Sequence, residues 1–159
     1  TDIPAEEQGT GMLFNMDGEV VGMISSSVWN DTGKNVVNAY GISDLKPIIE
    51  LLINGKSVPY IGIYGTTVTE QLAEEHKMPS GIYVADVDPD SPAMAAGIQI
   101  GDIICEASGE EIKDIAAYQN IVIGSSVGET MEFVGKRLGS DGYVNIKFSV
   151  VTTEKEEVK

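Results

Sequence analysis

Apolar and polar positions in the first forty residues follow the pattern of paired strands. Two apolar runs flank a polar turn at 15–18, which predicts a β-hairpin over 10–25. Residues 26–35 are rich in Ser, Asn, Asp and Gly and predict a loop, and 36–40 predict one more strand.

The spacing of the apolar residues then becomes helical. Residues 44–54 carry an apolar residue every three or four positions, Ser43 is the predicted N-cap, and Gly55 is the predicted end. The short stretch 54–58 that follows predicts a joint between two parts of the chain.

From residue 59 onward strands predominate, and helices do not alternate with them one for one. The predicted strands are 60–64, 82–87, 102–106, 130–138 and 143–151, and the predicted helices are 67–77, 91–97 and 114–123. This order predicts a mainly β fold of the α+β class: a partly open barrel or sandwich of antiparallel strands, with helices that cover its open ends.

Local signals fix the ends of two predicted helices. Thr67 and Glu70 have the spacing of a capping box. Ser91 is a predicted N-cap, Pro92 suits the first turn, and Gly97 can take the left-handed conformation that ends a helix.

The 159-residue chain has a formal charge of −15, from 25 acidic and 10 basic residues. Such a charge opposes nucleic acids and anionic membrane surfaces, so neither is an expected partner. No apolar run reaches the length that crosses a bilayer, and no signal peptide opens the sequence. Residues 1–4 resemble the middle of a chain, and we expect an upstream portion.

No metal or cofactor site is expected. The single cysteine, Cys105, excludes an internal disulfide and is expected to be a small core residue. Residues 86–90 have the D-x-D-x-D spacing of a calcium loop but lack its later glycine and glutamate, so they are interpreted as turn and helix-cap chemistry. His76 is expected at the surface.

The stretch 91–104, SPAMAAGIQIGDII, resembles the motif S-P-A-x-x-A-G-[IL]-x-x-G-D-x-I of PDZ domains. GIYVADVDPD before it, SGEEI after it and the later GETMEF follow in PDZ order. PYIGIYG at 59–65 resembles the carboxylate-binding loop of bacterial PDZ domains. The resemblance implies a PDZ domain over 59–153, with 154–159 as a frayed tail.

The upstream segment resembles another part of one group of PDZ proteins. GMLFNMDGEVVGMISS is similar to the strand pair after the nucleophile of trypsin-like HtrA/Deg serine proteases. NAYGISDLKPIIELLINGKSVPYIGI is similar to their passage from the protease barrel into the PDZ domain. The resemblance implies that 1–42 are the last strands of a barrel and that 43–58 are a linker helix and joint.

The family's catalytic serine has no matching serine in this sequence. Aligning the end of the motif G-[DNS]-S-G-G-P-L with Met12 and Leu13 places Gly9 at the serine, and a shift of one residue places Thr10 there. A trypsin-like enzyme also needs a histidine base and a carboxylate, and the sole histidine is His76. The chain alone is therefore expected to be inactive, and the parent is either an active serine endopeptidase or a pseudoprotease.

An exposed strand edge beside a helix predicts the binding site. The backbone of strand 61–64 can pair with an extended peptide, and the turn 60–62 directs successive N–H groups at one spot, which suits a C-terminal carboxylate. Gly62 is expected to leave room for that carboxylate, so that Gly62→Val would block binding and keep the fold. The predicted peptide-binding residues are Tyr60, Ile61, Gly62, Ile63, Gln119 and Ile123.

These features favour the capture of protein C-termini or of exposed segments of unfolded proteins, in protein quality control. Two alternatives stay open: a PDZ domain that gates an active endopeptidase, and self-association as a homo-oligomer or scaffold through residues 1–40. The resemblance also implies a location outside the cytoplasm, in the bacterial cell envelope.

Overall fold

The computed structural model describes residues 10–24 and 39–154. The chain divides into two compact units, 1–53 and 54–159. The predicted loop at 26–35 and most of the predicted strand at 36–40 lie outside the described residues.

The first unit is a small sheet with one helix. Strands β1 (Gly11–Phe14) and β2 (Val20–Ile24) form the predicted antiparallel hairpin, and β3 (Tyr40–Gly41) pairs with the other edge of β2. Helix α1 (Ile42–Ile53) packs on β2 and β3. It begins earlier than predicted, so Ser43 lies in its first turn and is not its N-cap.

Much of the apolar surface of this unit is open. Side chains at the middle and tip of the hairpin and in the last turns of α1 are exposed by more than a third of their surface. The exposed apolar residues are Met12, Phe14, Met16, Val21, Met23, Tyr40, Ile49, Leu52 and Ile53.

The second unit contains the larger sheet. Its strands are β4 (Pro59–Tyr60), β5 (Ile63–Val68), β6 (Gly81–Val87), β7 (Ile103–Ala107), β8 (Glu110–Glu111), β9 (Thr130–Gly139), β10 (Gly142–Val151) and β11 (Thr153–Glu154). The main sheet has the order β10-β9-β7-β6-β5, with β8 on β7, and β11 pairs with β4 separately. The predicted fold class is confirmed, with open sheets in place of a closed barrel.

Three helices accompany these strands in the described residues of the second unit: α2 (Glu70–His76), α3 (Pro92–Ala95) and α4 (Ile115–Gly124). The predicted start of α3 is confirmed, because the Ser91 hydroxyl accepts the N–H of Met94 at 3.2 Å. The left-handed Gly97 after it, with φ +88°, is confirmed as well. No described helix has the length and apolar composition needed to cross a membrane.

In the second unit, two local predictions are wrong. The strand predicted at 60–64 is interrupted at 61–62, because Gly62 takes a left-handed φ of +84° that no regular strand accommodates. The capping box is displaced: Thr69 caps α2 by accepting the N–H of Leu72 at 3.3 Å, whereas Thr67 lies in β5 and accepts the N–H of Ile115 at 3.1 Å.

The core of the second unit lies between the sheet and helices α3 and α4. Side chains that are fully or almost fully buried come from every long strand and from both helices. The largest side chains of this core are Phe133, Ile61, Ile82, Ile104, Ile112, Met131 and Val84. Cys105 is half-buried at the edge of this core, and burial raises the pKa of its thiol.

Candidate functional site

A groove of about 260 Å³ runs between strand β5 and helix α4. All six residues predicted for binding line it: Tyr60, Ile61, Gly62, Ile63, Gln119 and Ile123. Four further residues that the prediction omitted complete the lining: Pro59, Tyr64, Tyr118 and Val122. Most of these side chains are apolar, so the groove suits an apolar side chain.

Strand β5 is the last strand of the main sheet on this side. It pairs with β6 along one edge, with Ile63 opposite Val87 and Val68 opposite Gly81. Its other edge has no strand partner among the described residues, and α4 lies beside it. An open edge of this kind has backbone groups that an added extended segment can pair with.

The loop between β4 and β5 directs its carbonyl groups away from the groove. The carbonyl of Ile61 accepts the N–H of Ala93, and the carbonyl of Gly62 accepts the N–H of Asp88, each at 2.9 Å. Across a planar trans peptide the N–H points opposite to the carbonyl. The N–H groups of Gly62 and Ile63 therefore point to the other side of the loop, where the groove begins. Two adjacent donors in this arrangement suit an anionic group such as a carboxylate.

Gly62 is required by the loop itself and not by access to the groove. A Cβ at this position would lie 2.3 Å from the Cβ of Ser91 and 2.8 Å from the hydroxyl of Tyr60, on the side of α3. Its positive φ adds strain for any other residue. The expectation that Gly62→Val keeps the fold and blocks the groove is therefore wrong, because the side chain would press into the packed interior.

Two tyrosines of the groove share one carboxylate. The hydroxyl groups of Tyr60 and Tyr64 both donate to Oδ2 of Asp88, that of Tyr64 at 2.8 Å. Burial, and then the hydrogen bond to Asp88, raise the pKa of the Tyr60 phenol. Asp88 also donates its backbone N–H to Gly62, so one residue fixes the loop and two side chains of the lining.

Helix α4 presents side chains of different burial to the groove. Asp114 caps the helix by accepting the N–H of Ala117 at 2.7 Å. Tyr118 and Val122, one turn apart, are 6% exposed and form the floor, whereas Gln119 is exposed at the rim and Ile123 is half-buried. The sequence pattern assigned Tyr118 and Val122 mainly to the core; they belong to the core and to the groove.

A second, larger depression of about 870 Å³ lies on the other side of Tyr60. It is bounded by α3, by the loop before it and by the ends of β10 and β11. Its lining includes the acidic side chains Asp88, Asp90 and Glu154. Of the predicted binding residues, it contains only Tyr60.

The structure gives no evidence of catalysis at the candidate catalytic positions. Gly9 lies outside the described residues, and Thr10 is exposed just before β1. His76 is exposed at the end of α2, as predicted. Within the described ranges, no group of three or more His, Cys, Asp or Glu side chains is placed to hold a metal ion.

Comparison with known proteins gives a consistent set of relatives. Residues 83–137 match the family model of a PDZ domain. A probable periplasmic serine endoprotease DegP-like from Halomonas elongata is 31% identical over 142 residues, which are 86% of this chain and 30% of that protein. The serine protease Do-like HtrA from Bacillus subtilis is 30% identical over 92% of this chain and 34% of its own length. The chain thus spans about a third of the curated relatives it matches.

Solved structures agree with the sequence relatives. The HtrA3 PDZ domain bound to a phage-derived ligand, FGRWV, is 33% identical, with a TM-score of 0.50 over 59% of this chain and 84% of that one. The HtrA-type protease AlgW with a decapeptide has a TM-score of 0.58 over 89% of this chain and 44% of its own, at 20% identity, which supports the fold.

Proposed function

We propose a peptide-capture function for this chain, which belongs to the HtrA (DegP-like) family of serine proteases and contains a PDZ domain. The groove between β5 and α4 binds the C-terminal segment of a peptide or of an unfolded protein. The observation that carries this proposal is the pair of N–H groups of Gly62 and Ile63, which point into the groove beside the open edge of β5.

The bound segment adds to the sheet next to β5. Its terminal carboxylate lies on the two loop N–H groups, and its backbone pairs with the edge of β5. Its last side chain enters the space above Ile61, Ile63 and Ile123. The solved HtrA3 PDZ domain with its ligand FGRWV supports this mode by likeness.

The test compares free-acid peptides with their C-terminal amides. Short fluorescent peptides that end in Val, Leu or Phe are titrated with the chain, and fluorescence anisotropy gives each Kd. We expect the free acids to bind in the micromolar range, since a few backbone hydrogen bonds and one buried side chain must offset the ordering of a flexible peptide. We expect the amides to bind much more weakly. Equal affinity for acid and amide would eliminate the carboxylate site.

A variant pair on α4 tests the location of the groove. Gln119→Ala removes a side chain at the rim, and Asn120→Ala removes a neighbouring exposed side chain that does not line the groove. We expect only the first substitution to change the Kd. An equal effect of both substitutions would place the binding site elsewhere.

The proposed role of capture is protein quality control, within a parent that is an HtrA-like protease or pseudoprotease. The relatives named serine endoproteases support an active parent, whereas Gly9 or Thr10 at the serine position supports a pseudoprotease. Two of the relatives are named periplasmic proteins, and this supports a site of action outside the cytoplasm. The parent's sequence upstream of this chain is the decisive measurement, because it contains or lacks the histidine and aspartate of the triad.

Self-association is a second candidate, favoured by the open apolar face of the hairpin. Met12, Phe14 and Val21 are 62%, 59% and 44% exposed. Exposed apolar side chains that lie next to one another on a strand pair favour association. Size-exclusion chromatography with light scattering gives the oligomeric state directly.

A further inference from the structure

Strand β10 forms the end of the main sheet opposite to β5. It pairs with β9 along its whole length, from Gly142 opposite Gly139 to Val151 opposite Thr130. Its other edge has no strand partner among the described residues. The second, larger depression of about 870 Å³ lies against the last positions of β10, and Ser149 and Val151 belong to its lining.

The hydrogen bonds of Thr152 indicate which backbone groups of β10 point outward. Its N–H donates to the carbonyl of Glu129 at 2.9 Å, and its carbonyl accepts the N–H of Gly128 at 2.8 Å, so both groups point to the β9 side. Along an antiparallel strand, successive residues direct these groups to alternate edges. The N–H and carbonyl groups of Val151 and Ser149 therefore point to the outer edge, where the part of the chain that the structure describes gives them no backbone partner.

Strand β4 already occupies the next position along this outer edge. Thr153 of β11 follows Val151 by two residues and pairs with Tyr60 of β4. The chain then turns away from the edge, since the carbonyl of Ile61 accepts the N–H of Ala93 in α3. The depression thus continues the course of β4 beyond its end, with α3 on the other side. A strand edge and a helix with space between them also form the groove at β5 and α4.

The walls of the depression are acidic. Asp88, Asp90 and Glu154 belong to its lining, and no lysine, arginine or histidine among the described residues does. From α3, the small side chains of Ala95 and Ala96 leave room beside the strand edge. An open strand edge recognises an extended backbone, and an acidic wall in a chain of net charge −15 favours basic side chains on that backbone.

We propose that this depression is a second peptide site, which binds an extended basic segment of a partner protein by adding it to β10. The backbone of the segment pairs with Ser149 and Val151, and its lysine or arginine side chains lie against Asp90 and Glu154. Because the site recognises backbone and side chains only, it takes internal segments as well as chain ends. It goes beyond the proposed capture of C-termini, and two segments of one unfolded chain can occupy the two sites.

The test uses peptides with blocked ends, which have no terminal carboxylate for the groove between β5 and α4. Three short acetylated and amidated fluorescent peptides alternate valine with lysine, glutamine or glutamate, so that the polar side chains share one face of an extended strand. Fluorescence anisotropy gives each Kd. We expect the lysine peptide to bind about threefold or more tightly than the glutamine peptide at low salt, and the glutamate peptide to bind least. The difference should shrink as the ionic strength rises.

Amide chemical shifts of the isotopically labelled chain locate the bound peptide. The lysine peptide should shift the amides of Ser149 and Val151 and leave those of Gly62 and Ile63 unchanged. A saturating free-acid peptide that ends in Val should not displace it, because that peptide belongs in the groove between β5 and α4.

Two matched pairs of variants test the lining. Asp90→Asn removes one charge from the depression and suits the left-handed φ of +59° at this position, whereas Asp141→Asn removes the same charge from the exposed β9–β10 turn. Ala95→Gln fills the depression from α3, whereas Met94→Gln changes an exposed neighbour that does not line it. We expect only Asp90→Asn and Ala95→Gln to raise the Kd of the lysine peptide, by about threefold. Thermal denaturation of all four variants checks that they fold.

The outcomes separate this site from the groove and from a general effect of charge. Equal Kd values for Asp90→Asn and Asp141→Asn, or shifts spread over the whole acidic surface, would mean that the peptide follows net charge and would overturn the inference. Displacement by the free-acid peptide, or no binding at millimolar concentration, would overturn it as well. If the lysine peptide binds here while free-acid peptides fail to bind, this inference stands and the proposed capture of C-termini is wrong.

Discussion

Arg137 and Asp102 form a two-point ion pair between strand β9 and the residue that precedes β7. Nε of Arg137 lies 2.6 Å from Oδ1, and the terminal nitrogen donates to Oδ2 at 2.7 Å. The same nitrogen donates to the carbonyl of Gly97 at 2.9 Å, and Asp102 accepts the N–H of Gln99 at 2.9 Å. The pair thus holds the turn after α3 against the sheet, which explains why an acidic residue is tolerated at 1% exposure.

Removing the arginine should destabilise the second unit. Arg137→Leu leaves Asp102 buried without its counter-ion. We expect the free energy of unfolding to fall by about 2–3 kcal/mol. This is less than for a fully buried pair, because the arginine is about a third exposed. Urea denaturation measures the change. The control is Lys46→Ala at the exposed Lys46–Glu50 pair, where nitrogen and oxygen are 3.9 Å apart and a change close to zero is expected. Equal effects of the two substitutions would contradict the prediction.

Substitution of Gly62 should act mainly on the free energy of unfolding and less on the affinity for a ligand. Gly62→Ala combines a left-handed backbone with a Cβ that would lie 2.3 Å from that of Ser91. The matched control is Gly97→Ala, which has a similar φ of +88° but open space around its Cβ. We expect about 1–2 kcal/mol of destabilisation at Gly97 from backbone strain alone and clearly more at Gly62. A milder effect at Gly62 than at Gly97 would show that the loop is free to move.

Loss of the Asp88 carboxylate should weaken peptide binding, although this carboxylate does not line the groove that receives the last side chain of the peptide. Asp88→Ala releases the hydroxyl groups of Tyr60 and Tyr64, so the loop side of the groove loses its fixed geometry. We expect a Kd about tenfold higher, the equivalent of one hydrogen bond to a charged group. Asp141→Ala, an exposed acidic residue on the β9–β10 turn, is the control for charge alone. An equal rise in Kd for both variants would assign the effect to net charge.

Alkaline pH should destabilise the fold through Tyr118. Burial raises the pKa of the Tyr118 phenol in the folded state above its value of about 10 in the unfolded chain. Below about pH 10 the phenol is protonated in both states and does not change the free energy of unfolding. Above about pH 10 it ionises more readily in the unfolded chain, so the free energy of unfolding falls as the pH rises. At pH 11, about one unit above the pKa of the unfolded chain, the loss from this single group is at most about 1.4 kcal/mol. Urea denaturation at pH 8 and pH 11 measures it.

Tyr118→Phe should lose less stability between these two pH values than the wild-type chain, because it has no phenol to ionise at this position. Tyr143→Phe should behave as the wild-type chain does. Identical pH dependence in all three proteins would mean that the Tyr118 phenol ionises as freely in the folded state as in the unfolded state.

A polar substitution on the hairpin should abolish self-association if the first unit mediates it. Phe14→Glu places a charge on the exposed apolar face of β1, next to Met12 and opposite β2. We expect light scattering to show a smaller average mass for this variant than for the wild-type chain at high concentration. Thr10→Glu adds the same charge outside the strand and should have less effect. A wild-type chain that is monomeric at all concentrations would eliminate this candidate.

The predicted binding residues line one groove because their positions belong to short motifs with local meaning, whereas their role in binding stays a prediction. PYIGIYG predicted the loop and edge strand, and the stripe of α4 predicted Gln119 and Ile123 beside them. Ser91, Pro92 and Gly97 predicted the bounds of α3 because each acts on its own turn.

What the sequence did not predict depends on partners that are distant along the chain. The break at Gly62 is held by Asp88 and Ala93, and the direction of its missing Cβ depends on Ser91. Thr67 has the spacing of a cap, but its hydroxyl is taken by the N–H of Ile115, 48 positions away. Such contacts have no periodic signature, so only the folded arrangement reveals them.

The pairing of β4 with β11 has a mechanical consequence. Tyr60 lies opposite Thr153 and Pro59 opposite Glu154, so the chain enters and leaves the second unit side by side. A force that pulls the two ends of the unit apart would break the contacts of this two-residue ladder one after another. Ile61 is the next residue on which the force would act. A pull on the ends would therefore distort the loop at 61–62 while the six-stranded sheet stays intact, so stretching would oppose the proposed peptide capture.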